Sequence, residues 1–292
     1  MIAMVDERQI VISASRRTDI PAFYLDWFMD RITRGYFEVP NPYNQKVSVV
    51  PATTDRVHTI VFWSKDFGPF LKQDIGDKLL RRGFNLFFNF TLNSEVPLLE
   101  PRVPPLAERL RQLEALSRRF DPRVIHWRFD PICFFRSENG ERQHNLVHLD
   151  RISEVAARAG IQRCITSFVD LYAKVRKRVA RLPGMRFEEP HNGRKIASLL
   201  HMEELLRAKD ITLSLCCEKE LFESLPPGSR IGQSSCIPND VLAAVYGGKL
   251  SLRKDSGQRV RQGCGCRVSS DIGSYRDHPC YHNCLFCYAN PS

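Results

Sequence analysis

The sequence lacks several features that would assign it to a common class of protein. No apolar run reaches the roughly 18 residues that a membrane-spanning helix needs. The first nine residues carry acidic side chains and no apolar core of a secretory signal, so a cytoplasmic protein is expected. No glycine-rich G-x-G-x-x-G turn follows a predicted strand, which argues against a dinucleotide-binding fold. Neither a Ser, His and Asp constellation nor a paired-carboxylate spacing stands out, so a hydrolase has little support.

Cysteines, in contrast, are abundant and unevenly distributed. The chain of 292 residues has ten cysteines, and eight of them lie after residue 215. Because the cytoplasm keeps thiols reduced, metal or cluster binding is expected in preference to disulfides. Cys133 and Cys164 stand alone in apolar surroundings and are expected to be small core residues.

The chain is also basic, with a formal net charge of +10. A basic surface could attract nucleic acid, an anionic cofactor or an acidic substrate. The arginines are nevertheless spread along predicted helices, as at residues 109–119 and 176–181, where solvated helix faces are a sufficient interpretation.

Apolar strands alternate with amphipathic helices in the first part of the chain. The predicted strands are residues 10–15, 57–64, 84–91, 124–129, 163–169 and 211–216. The predicted helices are residues 21–35, 67–82, 104–120, 146–159, 170–181 and 196–209. Because strands separated by helices become parallel neighbours, the pattern favours an α/β fold, a partial (β/α)6 barrel, over a doubly wound sheet. Residues 39–42 and 46–50 could form a hairpin insertion.

The composition changes after Glu218, where prolines, glycines and serines cluster. One short helix is predicted at residues 239–246, and residues 249–292 are predicted to be loops around cysteines. We therefore expect a βα-repeat partial barrel over residues 1–218. Residues 219–292 are expected to form a cysteine-rich segment, packed on the barrel and ordered by metal binding rather than folded as a separate domain.

Three cysteines with a distinctive spacing lie near the end of this segment. Cys280, Cys284 and Cys287 form a C-x3-C-x2-C pattern, and Phe286 precedes the third cysteine. Three close thiolates suit a [4Fe–4S] cluster in which one iron has no protein ligand and can bind a small molecule. S-adenosylmethionine suits that iron through its amine and carboxylate. The alternative is zinc bound by these cysteines with His278 or His282.

A second set of cysteines lies upstream of the first. Cys236, Cys264 and Cys266, with one of the adjacent pair Cys216 and Cys217, provide four thiolates. Four thiolates would close a second site, either an auxiliary [4Fe–4S] cluster or tetrahedral zinc. Cys216 continues an apolar alternation and is expected to face the core, so Cys217 is the preferred ligand. The alternative is that these cysteines are merely buried or loop thiols.

Polar residues follow the predicted strands, where functional side chains of βα-barrels lie. They are Ser15, Arg16, Arg17, Thr18, Asp19, Ser64, Lys65, Asn89, Thr91, Asn93, Arg128, Asp130, Ser167, Cys217 and Glu218. Such a mixed set suits a zwitterionic cofactor, because arginine binds carboxylates and carboxylates bind amines or ribose hydroxyls.

Roles can be assigned within this set. Catalytic roles are expected for Arg16, Arg17, Asp19, Arg128 and Asp130, and cofactor-binding roles for Ser15, Asn89, Thr91 and Phe286. Simpler roles stay open for three of these residues. Asp19 could cap a helix, Asp130 could form a turn, and one of the two adjacent arginines could be a surface charge. His126 and Arg128 share a strand face, which indicates a polar interior.

Two resemblances follow from these motifs. Cys280, Cys284, Phe286 and Cys287 resemble the cluster motif of radical S-adenosylmethionine enzymes. There the motif follows the first barrel strand, which implies a permuted arrangement here, with residues 267–275 leading into the cluster. The chain as a whole resembles DUF1848, a family of unknown function, over residues 13–21, 271–275 and 280–290. That family implies no reaction, only cysteines similar to those of the radical enzymes.

Three functions are compatible with the sequence. The first is a radical S-adenosylmethionine enzyme, whose substrate the sequence does not identify and which needs an electron donor such as a ferredoxin or flavodoxin. The second is a zinc- or cluster-stapled binding protein without enzymatic activity, for which nucleic acid is the suggested partner. The third joins them as a radical enzyme acting on a nucleic-acid lesion, by analogy to photoproduct lyases.

Overall fold

The computed structural model describes residues 9–42, 44–137 and 139–291. Numbered in chain order, the strands within these ranges are β1 Ile10–Ala14, β2 Tyr36–Pro40, β3 Val47–Pro51, β4 Val57–Ser64, β5 Asn85–Thr91, β6 Ile125–Ile132, β7 Phe134–Arg136, β8 Arg142–His144, β9 Arg163–Phe168, β10 Arg186–Glu188, β11 Thr212–Leu215, β12 Gly232–Gln233 and β13 Ser270–Asp271. The α-helices are α1 Ile20–Phe23, α2 Leu25–Arg34, α3 Gly68–Lys72, α4 Ile75–Arg81, α5 Leu106–Arg119, α6 Leu149–Arg158, α7 Ala173–Val179, α8 Asn192–Arg207, α9 Lys219–Glu223 and α10 Asn239–Tyr246. Short 3-10 helices cover Pro122–Val124 and Val260–Gln262.

An eight-stranded parallel sheet forms the centre of a mixed α/β fold. Its strand order is β12-β11-β9-β6-β5-β4-β1-β13, and every neighbouring pair is parallel. The six inner strands are the six predicted strands, and they lie side by side in chain order. A doubly wound sheet instead reverses its order near the middle. Among the described residues β12 and β13 do not pair with each other, so the sheet is open.

Helices lie in every connection between inner strands where the sequence predicted them, but their boundaries differ from the predicted ones. The predicted helix 21–35 is split into α1 and α2 at Tyr24, whose φ of −132° and ψ of 31° are not helical. The predicted helix 67–82 is split into α3 and α4 at Asp74, which adopts a left-handed conformation with φ 51°. Gly35 ends α2 with a φ of 81°, a value that glycine adopts without strain. No helix in the described ranges is long and apolar enough to span a bilayer.

Two small antiparallel sheets accompany the main sheet. Strands β2 and β3 form the predicted hairpin, but both are shifted away from the turn relative to the predicted arms at 39–42 and 46–50. Strands β10, β7 and β8 form a three-stranded sheet that was not predicted. Each of these strands has only three residues, so no alternating pattern could reveal them.

One face of the main sheet buries aromatic side chains against the helices. Phe62, Phe67, Phe70 and Phe88 are all buried and pack on one another edge to face or stacked. Such ring contacts add stabilisation beyond the area that the rings bury. This face is therefore a conventional apolar core.

The other face of the sheet is polar and is covered by the cysteine-rich segment. Asn89 and His126 are register partners on neighbouring strands, and Arg128 lies two residues further on the same face. All three side chains are buried. Asn89 Nδ2 donates to the carbonyl of Cys236, 3.0 Å away. A polar interior was predicted for this face, and it contains the candidate site.

Candidate metal and cofactor site

Buried charges gather where β6 and β9 end. The Arg128 guanidinium forms an ion pair with Asp130, and the Ser167 hydroxyl donates to the same carboxylate. Arg128 Nη1 also lies 2.6 Å from Cys236 Sγ. Burial would lower the pKa of Arg128, but Cys236 and Asp130 raise it well above its usual range. The predicted residues Arg128, Asp130 and Ser167 are thus brought together around one buried cation.

Asn93 connects this group to a second buried ion pair. Asn93 Oδ1 accepts from the backbone N–H of Asp130 at 2.8 Å, and its Nδ2 donates to Glu100 Oε1 at 3.2 Å. Lys65 Nζ lies 2.5 Å from the same Glu100 oxygen. Cys284 Sγ is 4.0 Å from that oxygen. A continuous path of polar contacts therefore runs from Arg128 to a cysteine of the C-x3-C-x2-C motif.

The loop that carries Cys280, Cys284 and Cys287 follows β13 and is held at several points. Tyr24 Oη donates to the Pro279 carbonyl at 2.6 Å. The Leu285 N–H donates to the Leu99 carbonyl at 2.9 Å. Asn290 Nδ2 donates to the Cys284 carbonyl at 3.0 Å. These contacts fix the backbone on both sides of Cys284.

Arg178 of α7 holds the same loop from the opposite side. Its guanidinium donates to the carbonyls of Leu285 at 2.7 Å, Cys287 at 3.2 Å and Asn290 at 3.2 Å. A buried arginine that binds three carbonyls replaces most of the hydrogen bonds it loses to water. The loop is therefore positioned by side chains and not only by its own turns.

The three cysteine side chains of the loop are neighbours. Each lies near enough to affect the charge of another. Within the described residues, no hydrogen bond joins their sulfurs. Burial raises the pKa of the Cys280 thiol to about 12. Burial also raises the pKa of Cys284 well above its usual range, while the Lys65 ammonium opposes this shift.

Three cysteine thiols on one loop suit a cluster that binds each thiolate to a different iron. As they stand, no three His, Cys, Asp or Glu side chains of the described chain are gathered tightly enough around one point to hold a single metal ion. A three-cysteine zinc site would also need a histidine. His282 Nε2 lies 2.8 Å from Asp19 Oδ2, and its Nδ1 lies 3.4 Å from the Arg102 carbonyl. His278 packs on Trp27, with ring centroids 4.1 Å apart.

Asp19 has a structural role larger than the helix cap considered from the sequence. It caps α1 by accepting from the Ala22 N–H at 3.0 Å. It also accepts from the Ser64 hydroxyl at 2.7 Å and from the Lys65 N–H at 2.8 Å. With its contact to His282, this one buried carboxylate joins the ends of β1 and β4 to the cysteine loop.

Ser15, Arg16 and Arg17 bind the segment that leads into the cysteine loop. Ser15 Oγ donates to Asp271 Oδ1 at 2.6 Å, and the Arg16 N–H donates to Asp271 Oδ2 at 2.8 Å. Arg17 Nη1 donates to the Gly273 carbonyl at 2.9 Å. A Cβ on Gly273 would lie 2.1 Å from Ser15 Oγ, so only glycine allows this approach. These contacts fasten β13 beside β1.

The upstream cysteines also gather in one place. Cys216 Sγ lies 3.7 Å from Cys217 Sγ and 3.6 Å from Cys236 Sγ. Cys264 and Cys266 each shift the pKa of the other, and Cys236 shifts the pKa of Cys266. Cys216 is buried, as expected, but its sulfur contacts two other thiols.

The remaining predicted residues lie at the margins of the site. The Asn89 amide oxygen is buried and has no hydrogen-bond partner among the residues that the structure describes. Thr91 is half-buried as the register partner of Arg128. The Phe286 ring is buried with Lys65 Nζ 5.4 Å from its centroid. Glu218 accepts from the Phe168 N–H at 2.8 Å, and burial raises its pKa to about 7.

Sequence reasoning missed several residues that build the site. Glu100 lies in an irregular stretch between β5 and α5 that has no motif. Trp63 was treated only as a strand residue, yet the guanidinium carbons of Arg16 and Arg128 lie 5.6 Å and 5.2 Å from its ring centroid. For the segment that leads into the cysteine loop, the sequence did offer one signal. Asp271 belongs to the stretch 271–275, on which the resemblance to DUF1848 partly rests.

A family model described as a domain of unknown function, DUF1848, matches residues 11–289. The matched range contains all of β1 except Ile10, the polar face of the sheet and both groups of cysteines. A search of curated proteins finds no match to the chain.

Proposed function

The chain belongs to the DUF1848 family, and we propose that it is a radical S-adenosylmethionine enzyme whose [4Fe–4S] cluster is held by Cys280, Cys284 and Cys287. When bound, the cluster supplies the electron that cleaves the sulfonium bond of S-adenosylmethionine. The observation that carries the proposal is the place of the C-x3-C-x2-C loop, which follows a strand parallel to β1 and lies against buried charges at the ends of the inner strands.

Strand order supports the proposal. The inner strands form an open parallel sheet in chain order, which is the order of a partial (β/α)6 barrel. In radical S-adenosylmethionine enzymes the cysteine loop follows the first strand. Here β13 lies outside β1 and precedes the cysteine loop, so we interpret β13 as the permuted equivalent of that first strand.

The charged residues near Cys284 support the choice of cofactor. Lys65 and Arg128 are cations that would bind the carboxylate of S-adenosylmethionine. Glu100 and Asp130 are anions that would bind its amine or its ribose hydroxyls. Because all four belong to one connected network of buried polar contacts, binding needs little reorganisation.

The burial of the loop supports radical chemistry in particular. Cys284 and Phe286 are buried, and Arg178 and Asn290 donate to the carbonyls of Leu285 and Cys284. A closed site excludes water and protects a reactive intermediate. The electron donor in this proposal is a small redox protein such as a ferredoxin or flavodoxin.

The proposal is tested with protein purified without oxygen and reconstituted with iron and sulfide. After reduction and addition of S-adenosylmethionine, we expect 5′-deoxyadenosine and methionine to form. Cys284→Ala should abolish both products and remove about four irons per chain, whereas Cys164→Ala, a buried cysteine in β9, should change neither. Failure to form 5′-deoxyadenosine with any reductant, in protein that holds its iron and sulfide, would refute the proposal.

A further inference from the structure

Five thiols meet on the polar side of the sheet, apart from the C-x3-C-x2-C loop. Cys216 and Cys217 follow β11, Cys236 follows β12, and Cys264 and Cys266 flank Gly265. Cys216 Sγ lies 3.7 Å from Cys217 Sγ and 3.6 Å from Cys236 Sγ. Cys264 shifts the pKa of Cys217, and Cys266 shifts the pKa of both Cys236 and Cys264, so these thiols are also neighbours. All except Cys217 are buried. We call this group the five-thiol cluster.

The spacing of the sulfurs distinguishes two kinds of metal site. Four thiolates at about 2.3 Å from one tetrahedral ion lie about 3.8 Å from one another. In the five-thiol cluster, the sulfurs of Cys216 and Cys236, both buried, are 3.6 Å apart. In a [4Fe–4S] cluster each thiolate binds a different iron, so the sulfurs lie farther apart. The distance between Cys216 and Cys236 is therefore that of two ligands of a single ion. Because no three donors of the described residues are yet grouped tightly enough to hold an ion, Cys264 and Cys266 would move inward on binding.

Positive charge is placed beside these sulfurs. Arg128 Nη1 lies 2.6 Å from Cys236 Sγ. Burial would lower the pKa of Arg16, but the nearby Cys266 thiol and Asp271 raise it. Four thiolates around a divalent ion carry a net charge of −2, so two neighbouring guanidinium groups would neutralise the site. Donors to thiolate sulfur are a common means of stabilising such sites.

The backbone is shaped to bring these cysteines together. A Cβ on Gly265 would lie 2.4 Å from the carbonyl oxygen of Ser234, so only glycine lets the C-x-C turn approach the chain before Cys236. Arg267 N–H then donates to the Ile237 carbonyl at 3.1 Å and fixes the turn. This close packing would be unnecessary for thiols that merely fill a core.

We propose that the five-thiol cluster binds one zinc ion through its four buried cysteines, Cys216, Cys236, Cys264 and Cys266. Zinc is a borderline-soft ion that prefers four thiolates in tetrahedral geometry. The ion would link the end of β11 to the loop that contains Cys236 and to the loop that contains Cys264 and Cys266. It would also hold Arg16 and Arg128 in place. Cys217, which is half-exposed, is the fifth thiol and not a ligand in this proposal.

Metal analysis of a variant that lacks the first site tests the proposal. With Cys280, Cys284 and Cys287 all changed to Ala, we expect about one zinc per chain and no acid-labile sulfide. Adding Cys216→Ala or Cys236→Ala should lose the zinc, whereas adding Cys217→Ala or Cys164→Ala should retain it. Iron and sulfide in equal amounts in the triple variant, or no bound metal, would overturn the proposal.

A measurement on the unaltered chain covers the case in which the variants fail to fold. X-ray absorption at the zinc edge should show four sulfur neighbours at about 2.3 Å. Nitrogen or oxygen neighbours in place of sulfur would refute the assignment. The outcome is separate from that of the radical-enzyme proposal, because zinc content does not depend on whether 5′-deoxyadenosine forms.

Discussion

At the scale of single residues, buried polar side chains at the strand ends connect distant parts of the chain. Asp19 is the clearest case, because its carboxylate accepts from the backbone of α1, from the end of β4 and from His282 of the cysteine loop. The sequence led us to expect a catalytic role for Asp19 and left a helix cap open as the simpler role, because Ile20 and Pro21 follow it. It could not predict the contact with His282, because nothing in a local pattern shows which loop covers a strand end.

Asp19→Asn should weaken both the fold and the cysteine loop. Both carboxylate oxygens of Asp19 accept hydrogen bonds. In asparagine one of these oxygens becomes an NH2 group, which is a donor and would face the donors that now bind the carboxylate. We expect the free energy of unfolding to fall by about 1–3 kcal/mol. Iron retained after reconstitution should fall as well, because His282 loses its partner. Urea unfolding and iron content measure these effects, and Asp26→Asn, at an exposed position of α2, is the control. Unchanged iron retention would contradict an anchoring role for Asp19.

His126 should make the protein sensitive to acid. Burial, with Arg163 and Arg128 nearby, lowers its pKa to about 3, against about 6.5 in an unfolded chain. Between these values the unfolded state binds the extra proton, so stability falls as pH falls below about 6.5. We expect a loss of about 2 kcal/mol from this group between pH 7 and pH 5.

His126→Leu should remove that part of the acid dependence, whatever its effect on stability at pH 7. Chemical unfolding curves at the two pH values give the difference. His201→Leu, at an exposed position of α8, should leave the dependence unchanged. An equal loss between pH 7 and pH 5 in the native chain and in His126→Leu would show that His126 does not cause it.

At the scale of elements, periodicity predicted the long apolar strands and the crossover helices. It failed where an element is very short or where a helix is interrupted. The three-residue strands β7, β8 and β10 carry no repeating pattern, and the breaks at Tyr24 and Asp74 depend on the conformation of one residue. Site residues on inner strands, such as Arg128, were found by position, whereas Glu100 and Arg178 were missed because they lie in an irregular stretch and on a basic helix.

Arg178 gives α7 a role that its basic composition concealed. Arg178→Ala removes a buried guanidinium that binds three carbonyls of the cysteine loop. We expect the free energy of unfolding to fall by about 2–3 kcal/mol and the cluster to be lost more quickly under air. Lys177→Ala changes the exposed neighbour on the same helix and should have little effect. Equal rates of iron loss in the two variants would show that α7 does not support the cysteine loop.

At the scale of the whole molecule, the cysteine-rich segment is part of the main sheet rather than an appendage to it. It supplies both outer strands, β12 beside β11 and β13 beside β1. Between them it covers the polar face, and its Ile237, Leu242 and Ile272 are buried in the main core. The sequence predicted that the segment packs on the repeat, but not that it extends the sheet at both edges, because strands of two residues are invisible to periodicity. Metal binding to this segment is therefore expected to stabilise the entire sheet.

Gly273→Ala tests whether the edge formed by β13 matters to the whole fold. The new Cβ would lie 2.1 Å from Ser15 Oγ, and the resulting overpacking should separate β13 from β1 at a cost of about 1–3 kcal/mol. Gly232→Ala is the matched control in the opposite edge strand, where the Cβ would meet Ser214 Oγ at an ordinary 3.4 Å. We expect Gly273→Ala alone to lower both the thermal midpoint and the iron retained by the cysteine loop. If Gly273→Ala lowered the midpoint but kept its full iron content, the cysteine loop would have to hold its position without β13, and the permuted-strand interpretation would fail.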